Sequence, residues 1–125
     1  MAYTDIDKPS DYFNTALYTG NYSTNNITSL DFQPDLVWIK KRSAAESHVL
    51  TDVVRGTGGN LYSNSTSAED TGITTGVTSF NSDGFSLGAN NGFNQSGATF
   101  AAWNWKAGTS FTNDASATGI GSIDS

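Results

Sequence analysis

His48 is the single histidine of the chain, and it stands in Glu46-Ser47-His48-Val49-Leu50-Thr51-Asp52. An extended backbone would place Glu46, His48 and Leu50 on one face, a carboxylate beside an imidazole. Proton transfer needs more than that pair, and no Gly-X-Ser-X-Gly elbow offers a nucleophile. Glycoside hydrolysis asks for two carboxyl groups facing each other across roughly 5 to 9.5 Å. The two glutamates, Glu46 and Glu69, lie in loop-like sequence, and the ten aspartates mostly occupy turns. Oxygen ligands occur in Asn-Ser-Asp-Gly at 81–84 and Asn-Asp-Ala-Ser at 113–116, without the alternating acidic run and closing bidentate glutamate of a calcium loop. With no cysteine there is no thiolate zinc site. Gly56-Thr57-Gly58-Gly59-Asn60 opens no helix and holds no lysine, which excludes a phosphate loop. The residues therefore read as non-enzymatic, with no catalytic set, no metal site and no cofactor.

Aromatic and amide side chains remain. Sugar-binding modules stack sugar faces on exposed Trp and Tyr and orient hydroxyls with Asn and Asp. Tyr62, Asn81, Asp83, Asn91 and Asn94, all in or beside loop-like sequence, are the candidates for a glycan or partner site; Tyr22, Trp103 and Trp105 are the other aromatics to weigh. In Thr99-Phe100-Ala101-Ala102-Trp103-Asn104-Trp105-Lys106, alternation puts Ala101, Trp103 and Trp105 on one face and Phe100, Ala102, Asn104 and Lys106 on the other. Asn104 and Lys106 mark the second face as the wetter one, so the two tryptophans are expected to fill the core. Four Asn-X-Ser/Thr sequons, at Asn21, Asn26, Asn64 and Asn94, are what so much Asn, Ser and Thr produces by chance.

These residues must be held by strands. Hydrophobic residues make up 36% of the 125 positions and charged ones only 14%, so polarity comes from Ser, Thr, Asn and Gly, a composition of turns and strands rather than helical bundles. Apolar bursts separated by turn residues predict strands at Ala16 to Thr19, Asn26 to Thr28, Leu36 to Lys41, His48 to Asp52, Leu61 to Ser63, Val77 to Phe80 with Gly84 to Leu87, and Thr99 to Lys106. Almost no helix is expected beyond a turn around Pro9 to Phe13. Leu36-Val37-Trp38-Ile39, apolar at every position, reads as a central strand covered on both faces. Phe80-Asn81-Ser82-Asp83-Gly84-Phe85 is the clearest hairpin, with two phenylalanines placed to pair. The fold class is all-β, either an antiparallel two-sheet sandwich of jelly-roll type or a small barrel, and the central strand favours the sandwich.

The net charge of −6 and pI of about 4.3 argue against nucleic acid or an anionic membrane as partner. The basic run Lys40-Lys41-Arg42 reads as a solvated strand end. No apolar stretch is long enough for a helical membrane span, and the first residues lack the apolar core of a secretory signal. Residues 109–125, with Phe111, Ile120 and Ile123 isolated among small polar residues, cannot bury enough to fold alone and read as a linker or a strand that orders on a neighbour.

The ordered set MAYTDIDKPSDYFNTALYTGN, FQPDLVWIKKRS, HVLTDVVRG, LYSNSTSAED, TSFNSDGFSLG and GATFAAWNWKAG resembles a domain of structural proteins in tailed bacteriophages, notably marine and cyanobacterial phages, over nearly all of Met1 to Gly108. There it sits in tail-fibre-like or other virion appendage proteins. The resemblance implies a concanavalin-like β-sandwich at 16–108, an N-terminal attachment segment at 1–15 with Tyr3, Ile6, Pro9, Tyr12 and Phe13 as virion-contact candidates, and the C-terminal segment 109–125. It implies a virion location after synthesis in the host bacterial cytoplasm, with other virion proteins as partners. Assembly is expected to be homo-oligomeric, with a trimer as the expected state, because oligomer contacts would add burial that a small disulfide-free chain lacks. The alternative is a lectin-like domain reading host surface glycans.

Overall fold

The computed structural model describes residues 8–107. Pro9–Asp11 forms a single 3₁₀ turn with its proline at the start, where a fixed φ and a missing N–H cost nothing. Eight strands follow: β1 (Phe13–Thr19), β2 (Asn25–Ile27), β3 (Leu36–Lys41), β4 (Val49–Asp52), β5 (Asn60–Tyr62), β6 (Val77–Asn81), β7 (Gly84–Leu87) and β8 (Thr99–Trp105), with one helical turn, α1 (Asn91–Asn94), before the last. All pairings are antiparallel, in a five-stranded sheet of order β1-β8-β3-β4-β5 and a three-stranded sheet of order β2-β7-β6. The protein is thus an all-β two-sheet sandwich with almost no helix. No helix among the described residues is long and apolar enough to cross a membrane.

The core lies between the sheets. Ala16, Val37, Ile39, Val49, Phe100 and Ala102 face it from the larger sheet, and Ile27, Val77, Phe85 and Leu87 from the smaller. Tyr18 stacks on Phe100 at 5.1 Å and meets Phe85 edge-on at 6.4 Å, joining the layers through three rings. Phe80 and Phe85 do pair across the β6–β7 ladder. Their hairpin closes on Gly84, whose φ of +154° suits glycine and where a Cβ would collide with the Ile27 carbonyl oxygen.

Four expectations change. β3 is central, but only Val37, Ile39 and Lys41 are buried; its other face, with Leu36, Trp38 and Lys40, is half-buried, because the three-stranded sheet covers one side alone. β1 starts at Phe13, paired with Trp105, so residues 13–15 belong to the sandwich rather than to a separate leading segment. Lys41 is not solvated: it is 4% exposed, donates to Glu46 Oε2 at 3.2 Å and Gln95 Oε1 at 2.7 Å, and lies 5.9 Å from the Phe100 ring centre. β8 is turned over relative to its sequence reading. Phe100, Ala102 and Asn104 point inward, and Trp103 and Trp105 outward. Asn104 is buried with its amide half satisfied: its Nδ2 donates to the carbonyls of Asn14 and Ala102, both at 3.1 Å, while its Oδ1 has no partner among the described residues.

Candidate functional site: an aromatic outer sheet face

The ladder registers assemble the outward residues of the five-stranded sheet into one surface. Phe13 stands opposite Trp105, and Trp105 opposite Leu36; Trp103 stands opposite Trp38, and Trp38 opposite Leu50, which pairs with Leu61. The rings touch: Phe13 to Trp105 at 5.1 Å, Trp38 to Trp103 at 5.5 Å, and Trp38 nearly parallel to Trp105 at 6.5 Å. Leu17 is 64% exposed, Phe13 40% and Leu61 37%, and Val53 and Val54 just beyond β4 add apolar surface. The strands under this face run from seven residues in β1 and β8, about 23 Å, down to three in β5, about 10 Å, so its apolar part is concentrated over β1, β8 and β3. The outer face of the three-stranded sheet is its opposite in character. There Ser86 Oγ donates to Asn26 Oδ1 at 2.6 Å, Asn81 Nδ2 to Ser86 Oγ at 2.8 Å, and Ser79 Oγ to Asn81 Oδ1 at 3.0 Å. The aromatic face is mixed rather than purely apolar, since Thr15 stands opposite Trp103, Lys40 opposite Ala101 and Asp52 opposite Leu36.

The five candidate glycan or partner residues fall in three places. Asn81 and Asp83 belong to the β6–β7 turn, Asn91 and Asn94 to α1 beyond the far end of β7, and Tyr62 to the β5 edge of the other sheet. Asp83 and Asn91 are exposed, whereas Asn94 is fully buried and spends both ends of its amide inside the fold. Its Nδ2 donates to Asn21 Oδ1, Ser23 O and Gly88 O at 3.0, 2.7 and 2.9 Å, and its Oδ1 accepts from Asn21 N and Asn25 Nδ2 at 3.1 and 2.9 Å. The Asn94 sequon is therefore closed to a glycan. Tyr62 donates to Asp70 Oδ2 at 3.2 Å, and burial, then the Asp70 carboxylate, push its phenol above the ordinary tyrosine range. Of the virion-contact candidates, Pro9 opens the 3₁₀ turn, Tyr12 lies under the Lys106 amine at 5.6 Å, and Phe13 belongs to the aromatic face; Tyr3 and Ile6 lie outside the described residues, as does the segment 109–125.

Glu46 and His48 do not form an acid–base pair. Glu46 accepts from Lys41 and from the Ser47 amide, and His48 is held by its backbone to Asn64 and Ser63. Glu69 belongs to an ion-pair chain, with Arg55 Nη1 at 2.9 Å from Glu69 Oε1 and Arg55 Nε at 2.7 Å from Asp52 Oδ2. Burial works to raise the Asp52 carboxyl, but hydrogen bonds from the Arg55 amide and guanidinium outweigh it and hold the group below its ordinary value. A lowered folded-state value means stability present above pH 4 and lost as pH falls through that folded value. Arg55→Ala should therefore remove about 1 kcal/mol at pH 7 and less at pH 2 to 3, read from urea unfolding at both. An equal loss at both pH values would show that the pair contributes nothing through charge.

Among the described residues there is no cluster of acidic, histidine or cysteine side chains able to hold a metal, and no pocket. What the fold and its surface define is a β-sandwich domain with one polar outer face and one aromatic outer face. The chain belongs to the family described as a domain of unknown function, DUF7483, whose model matches residues 8–125. No curated protein and no solved structure matches it.

Sequence reasoning missed the aromatic face because it assigned the rings of β8 to the core. The signal was present in Phe100 and the alanines. A strand offering Phe-X-Ala-X-Asn on one face and Ala-X-Trp-X-Trp on the other has a large apolar residue on each side, and the burial of Phe100 and Ala102 against the half-burial of Trp103 and Trp105 shows which side is the core.

Proposed function

We propose that this domain is a non-enzymatic structural subunit of a bacteriophage virion, in a tail fibre or another appendage, that holds to other virion proteins and to copies of itself. The aromatic outer face of the five-stranded sheet carries the reading. Three tryptophans, a phenylalanine and flanking leucines on an open sheet make a surface that another protein would cover, since burying apolar area is the main source of association energy. The resemblance of the motif order to phage appendage domains suggests the setting. Location is the test: an antibody raised on the chain, applied to intact particles of the phage that encodes it, is expected to label the tail or an appendage. A chain abundant in the lysate and absent from the particles would overturn the reading.

The lectin-like alternative has one observation in its favour. Tyr22 is 48% exposed and has a φ of +52°, a conformation that costs a non-glycine residue energy and is held here by the bond from its amide to the Asn94 carbonyl oxygen at 2.8 Å. An exposed aromatic side chain on a backbone held in this way suits stacking on a sugar. Glycan-array binding lost on Tyr22→Ala, with no label on particles, would make this the better reading.

A further inference from the structure

The free edge of β1 carries a second surface. Among the described residues β1 is a terminal strand of the five-stranded sheet, paired with β8 alone. Lys106 N donates to Tyr12 O at 2.7 Å and Gly20 N to Ala98 O at 2.8 Å, and both pairs lie in the β1–β8 register. In an antiparallel ladder every second residue turns its backbone groups toward the partner. Asn14, Ala16 and Tyr18 therefore face β8, and Phe13, Thr15, Leu17 and Thr19 turn their N–H and C=O groups away from it. Two of these outward groups are occupied: the Thr15 amide donates to Asn14 Oδ1 at 2.9 Å, and the Thr19 carbonyl accepts from Asn25 Nδ2 at 3.1 Å. At the centre, Leu17 keeps both its donor and its acceptor unpaired among the described residues, and its side chain is 64% exposed.

We propose that β1 is the self-association edge of this protein: two copies pair their β1 strands antiparallel about a twofold axis at Ala16, joining two five-stranded sheets into one of ten. Three observations select a second copy as occupant. Phe13-Asn14-Thr15-Ala16-Leu17-Tyr18-Thr19 has no proline, no charge and no bulge, the features that normally blunt an edge strand. The other sheet edges are shorter, with three residues in β2 and β5 and five in β6, where the register shifts between Val77 and Ser79. The strand of matching length is thus another β1, and a strand without charge meets itself without repulsion despite a net charge of −6. In the full-length register Phe13 stands opposite Thr19 of the second copy and Thr15 opposite Leu17, which makes the aromatic faces of the two copies continuous; the Leu17 and Thr19 amides meet the partner's Thr15 and Phe13 carbonyls directly, whereas the Thr15 amide and Thr19 carbonyl exchange Asn14 Oδ1 and Asn25 Nδ2 for the partner strand. A twofold contact of this kind is closed, so it yields a dimer rather than the trimer expected from sequence.

The inference rests on the assembly reading only in requiring copies to meet, and it is tested on the purified 125-residue chain. Edge pairing buries an area at the small end of protein interfaces, so light scattering is expected to report twice 13.2 kDa at about 100 μM and 13.2 kDa after dilution to about 1 μM. Leu17→Pro removes an N–H that the β1–β8 ladder does not use, and Leu17→Lys adds an edge charge. Each should leave far-ultraviolet dichroism unchanged and keep the mass at 13.2 kDa at both concentrations. If the proline variant fails to fold, the lysine variant decides alone. Hydrogen exchange at the Leu17 amide should slow with concentration in the unchanged chain. A trimer, a monomer at every concentration, a dimer that survives both substitutions, or a Leu17 amide protected equally at both concentrations would overturn the proposal. A β1 dimer absent from virions would leave this inference standing and remove the virion reading; a monomer found in virions would do the reverse.

Discussion

Phe100→Ala is expected to lower stability by about 3–5 kcal/mol, while Trp103→Ala, three residues along the same strand and larger, lowers it by about 1–2 kcal/mol. Phe100 has no exposed surface and lies flat against Tyr18 at 5.1 Å with the planes 5° apart, and Tyr18 in turn touches Phe85 of the opposite sheet. Removing the ring opens a cavity where the sheets are joined and takes away the surface under the Lys41 amine. Trp103 is half-buried and sits among other outer-face rings, Trp38 foremost, so its removal forfeits contact area at a surface where water can enter. For a chain of this size one kcal/mol moves the melting midpoint by roughly 4 °C, which separates the two variants by about 5–15 °C in a calorimetric scan. The order of the two losses decides which face of β8 is the core. A larger loss at Trp103 would return the tryptophans to the interior and remove the aromatic face.

The parts of the fold that were legible in the sequence are those set by local chemistry. Pro9, the Asn81–Gly84 turn and the Leu36–Lys41 run each impose one local shape, and the strands fall close to their expected positions. Three features were not legible, and each depends on a distant partner. The facing of β8 goes with that of β3, about 65 residues upstream, whose Val37 and Ile39 pair with the inward Asn104 and Ala102 and whose Trp38 pairs with the outward Trp103. Lys41 belongs to a basic triplet that looks solvated, and only Glu46 and Gln95 give it a buried place. The candidate binding residues share a chemistry in sequence, yet the topology sends them to a hairpin turn, a helical turn and a sheet edge. Composition identifies residue types that can bind a ligand; register alone decides whether they meet.

The same dependence makes Asn94→Asp the sharpest single-atom test of the loop architecture. The substitution exchanges one NH₂ for an oxygen and leaves volume almost unchanged. At Asn94 two N–H groups are shared among three acceptors, Asn21 Oδ1, Ser23 O and Gly88 O, and so tie the β1–β2 loop to the β7–α1 connection. A carboxylate would keep the bonds from Asn21 N and Asn25 Nδ2 and turn an anionic oxygen on those three acceptors in a site without solvent. The expected loss is about 3–5 kcal/mol at pH 7, comparable with Phe100→Ala though no cavity forms. Its pH dependence identifies the cause. Burial and facing acceptors raise the folded-state value of the introduced carboxyl, so the protonated form is the better tolerated one. The deficit relative to the unchanged chain should then be smallest near pH 4 and grow as pH rises through the raised value. Because both proteins keep Arg55 and Asp52, the acid sensitivity of that pair cancels in the comparison. Asn94→Ala supplies the reference: it loses all five bonds without gaining a charge, and its deficit should stay level across the same range. Urea unfolding of the three proteins at pH 4, 5.5 and 7 reads this out, and a flat deficit for Asn94→Asp would mean that the loop opens to let water reach the carboxylate. Tyr22, whose strained backbone depends on the neighbouring Asn94 carbonyl, would then be free to leave its outward position.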